Sequence, residues 1–278
     1  PALQRVLVVD GREGEDSFEA FMATPWERGH SPAELAAYRP DANEVSTIIF
    51  TSGTTGEPKG VMHTHNTLVA ANNPIPGRMG LTDDSVIHMA STLAHLTGFL
   101  YGARLPVQNG LTCILQDIWN ADEFLTLVRR HGISYTSGAT PFLHDLLGHL
   151  SDTTGLESLT RFCCMGAPIP RVIVREAMDK LPHMAVLGGW GQTENGLVTI
   201  GIPGDPIERI ASTDGYPWPG MEIRTVDALD EPVAAGTQGR LQVRGPFLFV
   251  GGEEGAGQLQ PPGGSTPATW PRSTRTAM

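Results

Sequence analysis

Between residues 46 and 187, short β-branched or apolar runs alternate with segments of helical period, and this alternation restricts the fold more than any other feature of the sequence. Strand-like runs lie at 46–51, 60–65, 111–115, 134–137, 162–165 and 185–187, and helical patterns lie at 67–73, 121–131, 141–150 and 170–181. Strands separated by helices cannot close into hairpins, so they pair side by side, and the crossovers cover both faces. The expected class is α/β, with mainly parallel strands flanked by helices. At 278 residues with 40% apolar content, the chain can bury a core of that size.

From residue 215 the texture changes to short strands with turn signals, at 221–227 and 239–243 around Leu229-Asp-Glu-Pro232. The domain division expected is therefore 1–214 as the α/β portion, 215–251 as a small β-rich subdomain, and 252–278 as a disordered tail. That tail contains nine Gly or Pro, six apolar residues, and no Val, Ile or Phe, too little to offset the entropy of ordering it.

Charge and cysteines narrow the function classes. With 19 Lys+Arg against 30 Asp+Glu the net charge is -11, which argues against a nucleic-acid groove or an anionic membrane surface and favours a small-molecule site. No apolar run approaches the roughly 20 residues needed to span a bilayer. The three cysteines, two of them adjacent (Cys163, Cys164), form neither a disulfide framework nor a metal-ligand spacing. They read as small buried hydrophobes in a reducing compartment, with the cytoplasm as the expected location.

The chemistry concentrates in Thr51-Ser-Gly-Thr-Thr-Gly-Glu-Pro-Lys-Gly60, which follows the strand-like Thr47-Ile-Ile-Phe50. Glycines let backbone N–H groups turn toward a ligand, the hydroxyls of Ser52, Thr54 and Thr55 donate further hydrogen bonds, and Lys59 adds a point charge, a combination suited to polyphosphate. The plain alternative is an ordinary Ser/Thr/Gly loop. A P-loop NTPase is the weaker enzymatic alternative, because Lys59 is followed by Gly60 rather than by Ser or Thr opening a helix. His63 and His65 share a strand face by the period of two and superficially suggest a metal pair, but no third ligand accompanies them.

This decapeptide resembles the signature of the adenylate-forming (AMP-binding) superfamily, which includes acyl-CoA synthetases, luciferases and the adenylation domains of peptide synthetases. Further segments match in the family's order: Leu93-Ala-His-Leu-Thr-Gly98, Gly166-Ala-Pro168, Gly189-Trp-Gly-Gln-Thr-Glu194 and Gly239-Arg-Leu-Gln-Val-Arg-Gly245. The resemblance covers about residues 1–251 and points to the acid–CoA ligase branch, of the medium-chain, alicyclic (cyclohexanecarboxylate) or aromatic acid type.

The resemblance implies roles by position. Thr51, Ser52, Gly53, Thr54, Thr55, Gly56 and Lys59 would handle the phosphates of ATP, with Gly166, Ala167, Pro168, Trp190 and Gly191 around the adenine. Trp190 stands where the family more often has Tyr, which keeps the stacking face. Thr193 would hydrogen-bond the α-phosphate and Glu194 would hold Mg²⁺, so that Lys59, Thr193 and Glu194 form the catalytic set. His95, Gly98 and Gly189 would border the acyl pocket. The plain alternatives are a satisfied interior histidine for His95, core packing for Trp190 and a solvated surface carboxylate for Glu194. The implied substrates are a small carboxylic acid, ATP and coenzyme A.

Three family elements expected after Gly251 do not follow: a Gly-Asp that holds the ribose, a hinge, and a small C-terminal domain with a catalytic Lys. Read from the third base of each codon, residues 262–278 permit Gly-Trp-Phe-Asp-Thr-Gly-Asp-Leu-Ala-Thr-Ile-Asp-Ala-Asp-Gly-Tyr, which resembles the ribose-binding stretch. A frameshift shortly after Val250 is the expectation. The fold is also expected to begin upstream of residue 1. On this reading the chain is a truncated and impaired ligase, or alternatively a catalytically dead nucleotide-binding remnant of one.

Overall fold

The computed structural model describes residues 7–9, 17–51, 58–252 and 272–276. They fall into two compact units, 1–41 and 42–278. In the first unit, α1 (Phe18–Ala23) starts where the Ser17 hydroxyl accepts from Ala20 N. A single 3-10 turn (Trp26–Gly29) precedes α2 (Pro32–Ala37). At the start of α2, Glu34 N donates to the Ser31 hydroxyl while the Glu34 carboxylate accepts from Ser31 N, a reciprocal pair that satisfies two otherwise orphaned donors.

The second unit contains thirteen strands among its described residues. A hairpin of β1 (Val45–Thr51) and β2 (Lys59–Thr64) is followed by β3 (Val86–Met89), β4 (Thr112–Leu115), β5 (Tyr135–Gly138), β6 (Arg161–Cys164), β7 (Ala185–Gln192), β8 (Gly196–Ile200) and β9 (Tyr216–Pro217). Next come β10 (Glu222–Val226), β11 (Arg240–Arg244), β12 (Gly251–Gly252) and β13 (Arg272–Thr276). Seven strands form the main sheet in the order β4-β3-β5-β6-β7-β8-β9. The five from β4 to β7 run parallel, and β8 and β9 close that edge antiparallel.

Helices cover both faces, and the side-chain alternation of the strands shows why. One core receives α3 (His65–Asn72), α4 (Ile75–Met79), a π-helical turn (Gly98–Arg104) and α5 (Leu105–Asn109), packed on Ile87, Met89, Cys163 and Leu187. The other receives α6 (Ala121–His131), α7 (Thr140–His149), α8 (Arg171–Lys180) and α9 (Ile207–Ser212), packed on Phe162, Cys164 and Val186. The adjacent cysteines thus face opposite cores, both fully buried and unpaired. In α6 the buried Ala121, Phe124, Leu125 and Val128 form one stripe by their i, i+3, i+4, i+7 spacing. Asn120 caps this helix, with Asp122 and Glu123 in its first turn and Arg129 and Arg130 in its last, so local signals and burial agree.

Four details differ from the sequence expectation. The runs at 46–51 and 60–65 pair antiparallel in a separate sheet ordered β1-β2-β12, outside the parallel sheet. A capping box between Thr64 and Thr67 ends β2 at Thr64 and starts α3 at His65, so His63 and His65 do not share a strand face. The inner strand β3 was not anticipated; a histidine, His88, occupies one of its buried positions. Finally, where composition predicts disorder over 252–278, Gly252 belongs to β12 and Arg272–Thr276 pairs antiparallel with β11, whose edge offers unpaired backbone groups to an extended Ser/Thr segment. Residues 253–271 and 277–278 lie outside the described residues. Among the described residues no helix is long and apolar enough to cross a membrane.

Candidate functional site

Open α/β sheets bind ligands beyond the carboxyl ends of their parallel strands. That edge collects most of the sequence motifs. The 93–98 segment follows β3, the 166–168 turn follows β6, and residues 189–194 complete β7 and turn into β8. Strands β6 and β7 are neighbours, and a Cβ built on Gly188 would lie 3.2 Å from Ile169 Cδ1, so the 166–169 turn packs directly against the strand that leads into the 189–194 motif.

The 51–60 segment is delivered by the β1-β2 hairpin, where Thr51 pairs with Lys59. Ser52, Gly53, Thr54, Thr55 and Gly56 lie outside the described residues. By strand alternation Lys59, Val61 and His63 share one face of β2, and Val61 and His63 are buried. The His63 ring reaches across 130 residues of sequence to the Thr193 carbonyl, at 2.7 Å from Nε2. A carbonyl only accepts, so Nε2 carries the proton. Burial lowers the His63 pKa, opposed by the Thr193 carbonyl and the nearby Glu194 carboxylate. Phe249 N donates to Glu194 O at 2.7 Å and Val250 N to Met62 O at 2.9 Å, so β2, the turn after β7 and the segment entering β12 are tied together.

The turn itself is built by short-range chemistry. A bulge between Trp190 and Gly191 shifts the register against β8. A Cβ on Gly191 would stand 1.8 Å from Gly196 O, so the two backbones can approach this closely only with glycine at 191. Asn195, 4% exposed, accepts from Gln192 N through Oδ1 at 2.8 Å and closes the turn with its own N–H on Gln192 O at 3.2 Å. Asn195 was missed in the sequence; its signal was an Asx residue in the middle of a turn. Thr193 and Glu194 are half-buried, and the Glu194 carboxylate accepts no hydrogen bond from the described residues. Trp190 is half-buried against the first core. Gly189 pairs with Ile200.

At the 166–168 turn, Gly166 adopts a left-handed φ of 84°, Ala167 is half-buried and Pro168 is exposed. Thr140 Oγ1, at the start of α7, donates to Pro168 O at 2.9 Å. Beside this turn opens a cavity of about 630 Å³ whose lining includes Trp119, Phe142, Asp145, Ala167 and Pro168. His95 is exposed, and its Nδ1 accepts from Thr97 N at 3.2 Å. Gly98 is buried where a Cβ would meet Thr92 O at 2.1 Å. The fold thus joins Lys59's strand, Thr193 and Glu194 by hydrogen bonds, while His95 is held within its own segment.

Among the described residues no group of three or more His, Cys, Asp or Glu could hold a metal ion alone. A carboxylate such as Glu194 fits Mg²⁺, which takes one or two protein carboxylates and fills its shell with phosphate and water.

Comparison with known proteins adds an independent line. A family model described as AMP-binding enzyme matches residues 2–251. The medium-chain fatty-acid–CoA ligase of Escherichia coli (strain K12) is 37% identical over 210 residues, covering 75% of this chain and 37% of that protein. The 3-[(3aS,4S,7aS)-7a-methyl-1,5-dioxo-octahydro-1H-inden-4-yl]propanoyl:CoA ligase of Mycobacterium tuberculosis (strain ATCC 25618 / H37Rv) is 30% identical, covering 90% and 48%. The crystal structure of ATP-bound MatB from Rhodopseudomonas palustris superposes with a TM-score of 0.70 at 26% identity, over 76% of this chain and 42% of that one. The chain therefore spans less than half the length of these relatives.

Proposed function

The chain belongs to the AMP-binding enzyme family, and on that premise we propose that it carries the nucleotide-handling surface of an ATP-dependent acid–CoA ligase. The observation that carries this reading is the hydrogen-bonded union of β2, which returns from the phosphate loop at Lys59, with the Thr193–Glu194 turn at the carboxyl edge of the sheet. The strand that carries the Lys59 cation is thereby tied to the turn that carries the Thr193 hydroxyl and the Glu194 carboxylate, groups whose chemistry suits a metal polyphosphate.

In the proposed reaction, a carboxylate oxygen of the acid attacks the α-phosphorus of ATP. The new P–O bond forms as the bond to the pyrophosphate oxygen breaks. The thiol of coenzyme A then attacks the acyl carbon, a C–S bond replaces the C–O bond to AMP, and the thiol proton leaves to solvent. Lys59 with the hydroxyls of Ser52, Thr54 and Thr55 would neutralise the departing pyrophosphate, and Thr193 would hold the α-phosphate. Trp190 and the 166–168 turn would flank the adenine, with Gly191 allowing its approach. His95, Gly98 and Gly189 would border the acid. Glu194 would hold Mg²⁺, which when bound supplies charge neutralisation to the phosphates. The E. coli relative is a medium-chain fatty-acid–CoA ligase, which supports a medium-chain acid as the first substrate to try.

The test is pyrophosphate release by the 278-residue chain with ATP, Mg²⁺ and a panel of straight-chain, alicyclic and aromatic acids. Acid-dependent release supports the ligase reading. ATP binding without release under any acid would assign the chain nucleotide binding alone, and ATP hydrolysis to ADP without acid would overturn the adenylation chemistry.

A further inference from the structure

His63 belongs to none of the motifs through which the nucleotide reading runs. It is nevertheless 2% exposed, and its Nε2–H donates to Thr193 O at 2.7 Å. Its other nitrogen lies 3.3 Å from the hydroxyl of Thr67, the residue whose side chain also accepts from Thr64 N in the capping box that starts α3. The ring is therefore held at both ends, by the first turn of a core helix and by the turn after β7. One residue further on, Phe249 N fixes the Glu194 carbonyl at 2.7 Å. Two successive carbonyls clamped from two different elements leave the intervening peptide little freedom to rotate, and this fixes the directions in which the Thr193 and Glu194 side chains project.

We infer that His63 is a positioning residue for the nucleotide site: its bond to the Thr193 carbonyl locks the 192–195 turn onto the strand that carries Lys59, so that Thr193 and Glu194 are held toward the polyphosphate. The inference rests on the nucleotide-binding reading above. The competing account is a satisfied interior histidine that contributes only to stability. Lys59 and His63 lie on the same face of β2. A leucine at 63 would fill the space and leave the Thr193 carbonyl without this donor; a glutamine carries an amide N–H at about the position of the ring Nε2–H.

The experiment compares wild type, His63→Leu and His63→Gln. Each is titrated with ATP by Trp fluorescence, once with excess Mg²⁺ and once with EDTA, alongside thermal unfolding and backbone hydrogen exchange of a peptide spanning 192–197. The expected result is that His63→Leu binds ATP with Mg²⁺ about tenfold more weakly, loses much less in EDTA, and exchanges faster over 192–197, while His63→Gln stays within twofold of wild type in all three. His63→Leu binding ATP with Mg²⁺ as tightly as wild type would overturn the inference, as would equal weakening of both variants in step with lost thermal stability. If His63→Leu does not fold, His63→Asn, whose shorter amide stops short of the Nε2 position, replaces it against His63→Gln. Failure of wild type to bind ATP at all overturns the nucleotide reading and this inference with it, whereas wild-type binding with an indifferent His63→Leu overturns the inference alone.

Discussion

Acid should destabilise this fold through His88, by an amount that follows from its surroundings. The ring is fully buried in β3, with Nδ1 2.9 Å from Thr136 Oγ1 and Nε2 3.2 Å from Gln116 Oε1, and it packs on the Phe124 ring at 4.5 Å. Burial outweighs the bond to Gln116 and lowers its pKa from 6.5 to about 4. The native state therefore keeps His88 neutral down to about pH 4, while the unfolded chain takes up a proton near 6.5, so the unfolded state binds more protons between those values. The stability contributed by neutral His88 is complete above pH 6.5 and is lost as pH falls toward 4. Integrated from pH 7 to pH 5, the loss is about 2 kcal/mol, at about 1.36 kcal/mol per pKa unit. Most carboxylates remain ionised in that interval. The assay is urea unfolding of wild type and His88→Gln at pH 7 and pH 5, each fitted for the free energy in water. Wild type should lose about 2 kcal/mol more than the variant; an equal loss in both would refute the assignment of the shift to burial of this ring.

Two further substitutions test the turn after β7. Gly191→Ala places a Cβ 1.8 Å from Gly196 O, so the β7-β8 register must break; unfolding should shift down by at least about 3 kcal/mol in the urea assay, beyond an ordinary surface change. Asn195→Ala removes the acceptor of Gln192 N and should cost about 1–3 kcal/mol of stability, the range for stranding a buried donor, with a larger fractional loss of ATP affinity in the fluorescence titration than any variant at the exposed Leu229.

What was legible in the sequence depended on interaction range. Helix α6 was readable because its cap, its dipole-matched charges and its apolar stripe all lie within thirteen residues. The parallel pairing of β5, β6 and β7 was readable because a helix separates each from the next and forces a crossover. The β1-β2 hairpin was misassigned because a strand's period does not name its partner, and here both strands leave the main sheet altogether. β3 escaped notice because its inward His88 resembles an exposed polar position until Gln116 and Thr136, 28 and 48 residues away, are brought to it. The functional residues divide the same way. Glycines, hydroxyls and Lys59 mark the proposed phosphate loop by type and spacing, whereas His63 and Asn195 gain meaning only from the partners that folding supplies.

The two ends of the candidate site are also held differently, and the difference bears on how such a site could serve one chemistry on varied acids. The 192–195 turn is restrained from three directions: by the tight approach to Gly196 in β8, by Phe249 N on the Glu194 carbonyl, and by His63 on the Thr193 carbonyl. The carbonyls of Gln192, Thr193 and Glu194 are occupied while the Glu194 carboxylate accepts nothing from the described residues, which is the arrangement expected of a group whose orientation is fixed before a ligand arrives. The His95 ring, by contrast, is exposed and accepts from Thr97 N two residues along its own segment. Rigidity at the turn proposed for the nucleotide and latitude at the segment proposed for the acid fit a reaction in which the phosphate geometry is constant and the acyl group is what changes. Replacing residues around His95 should therefore alter which acid supports pyrophosphate release more than it alters ATP affinity, and replacing residues around Thr193 should do the reverse.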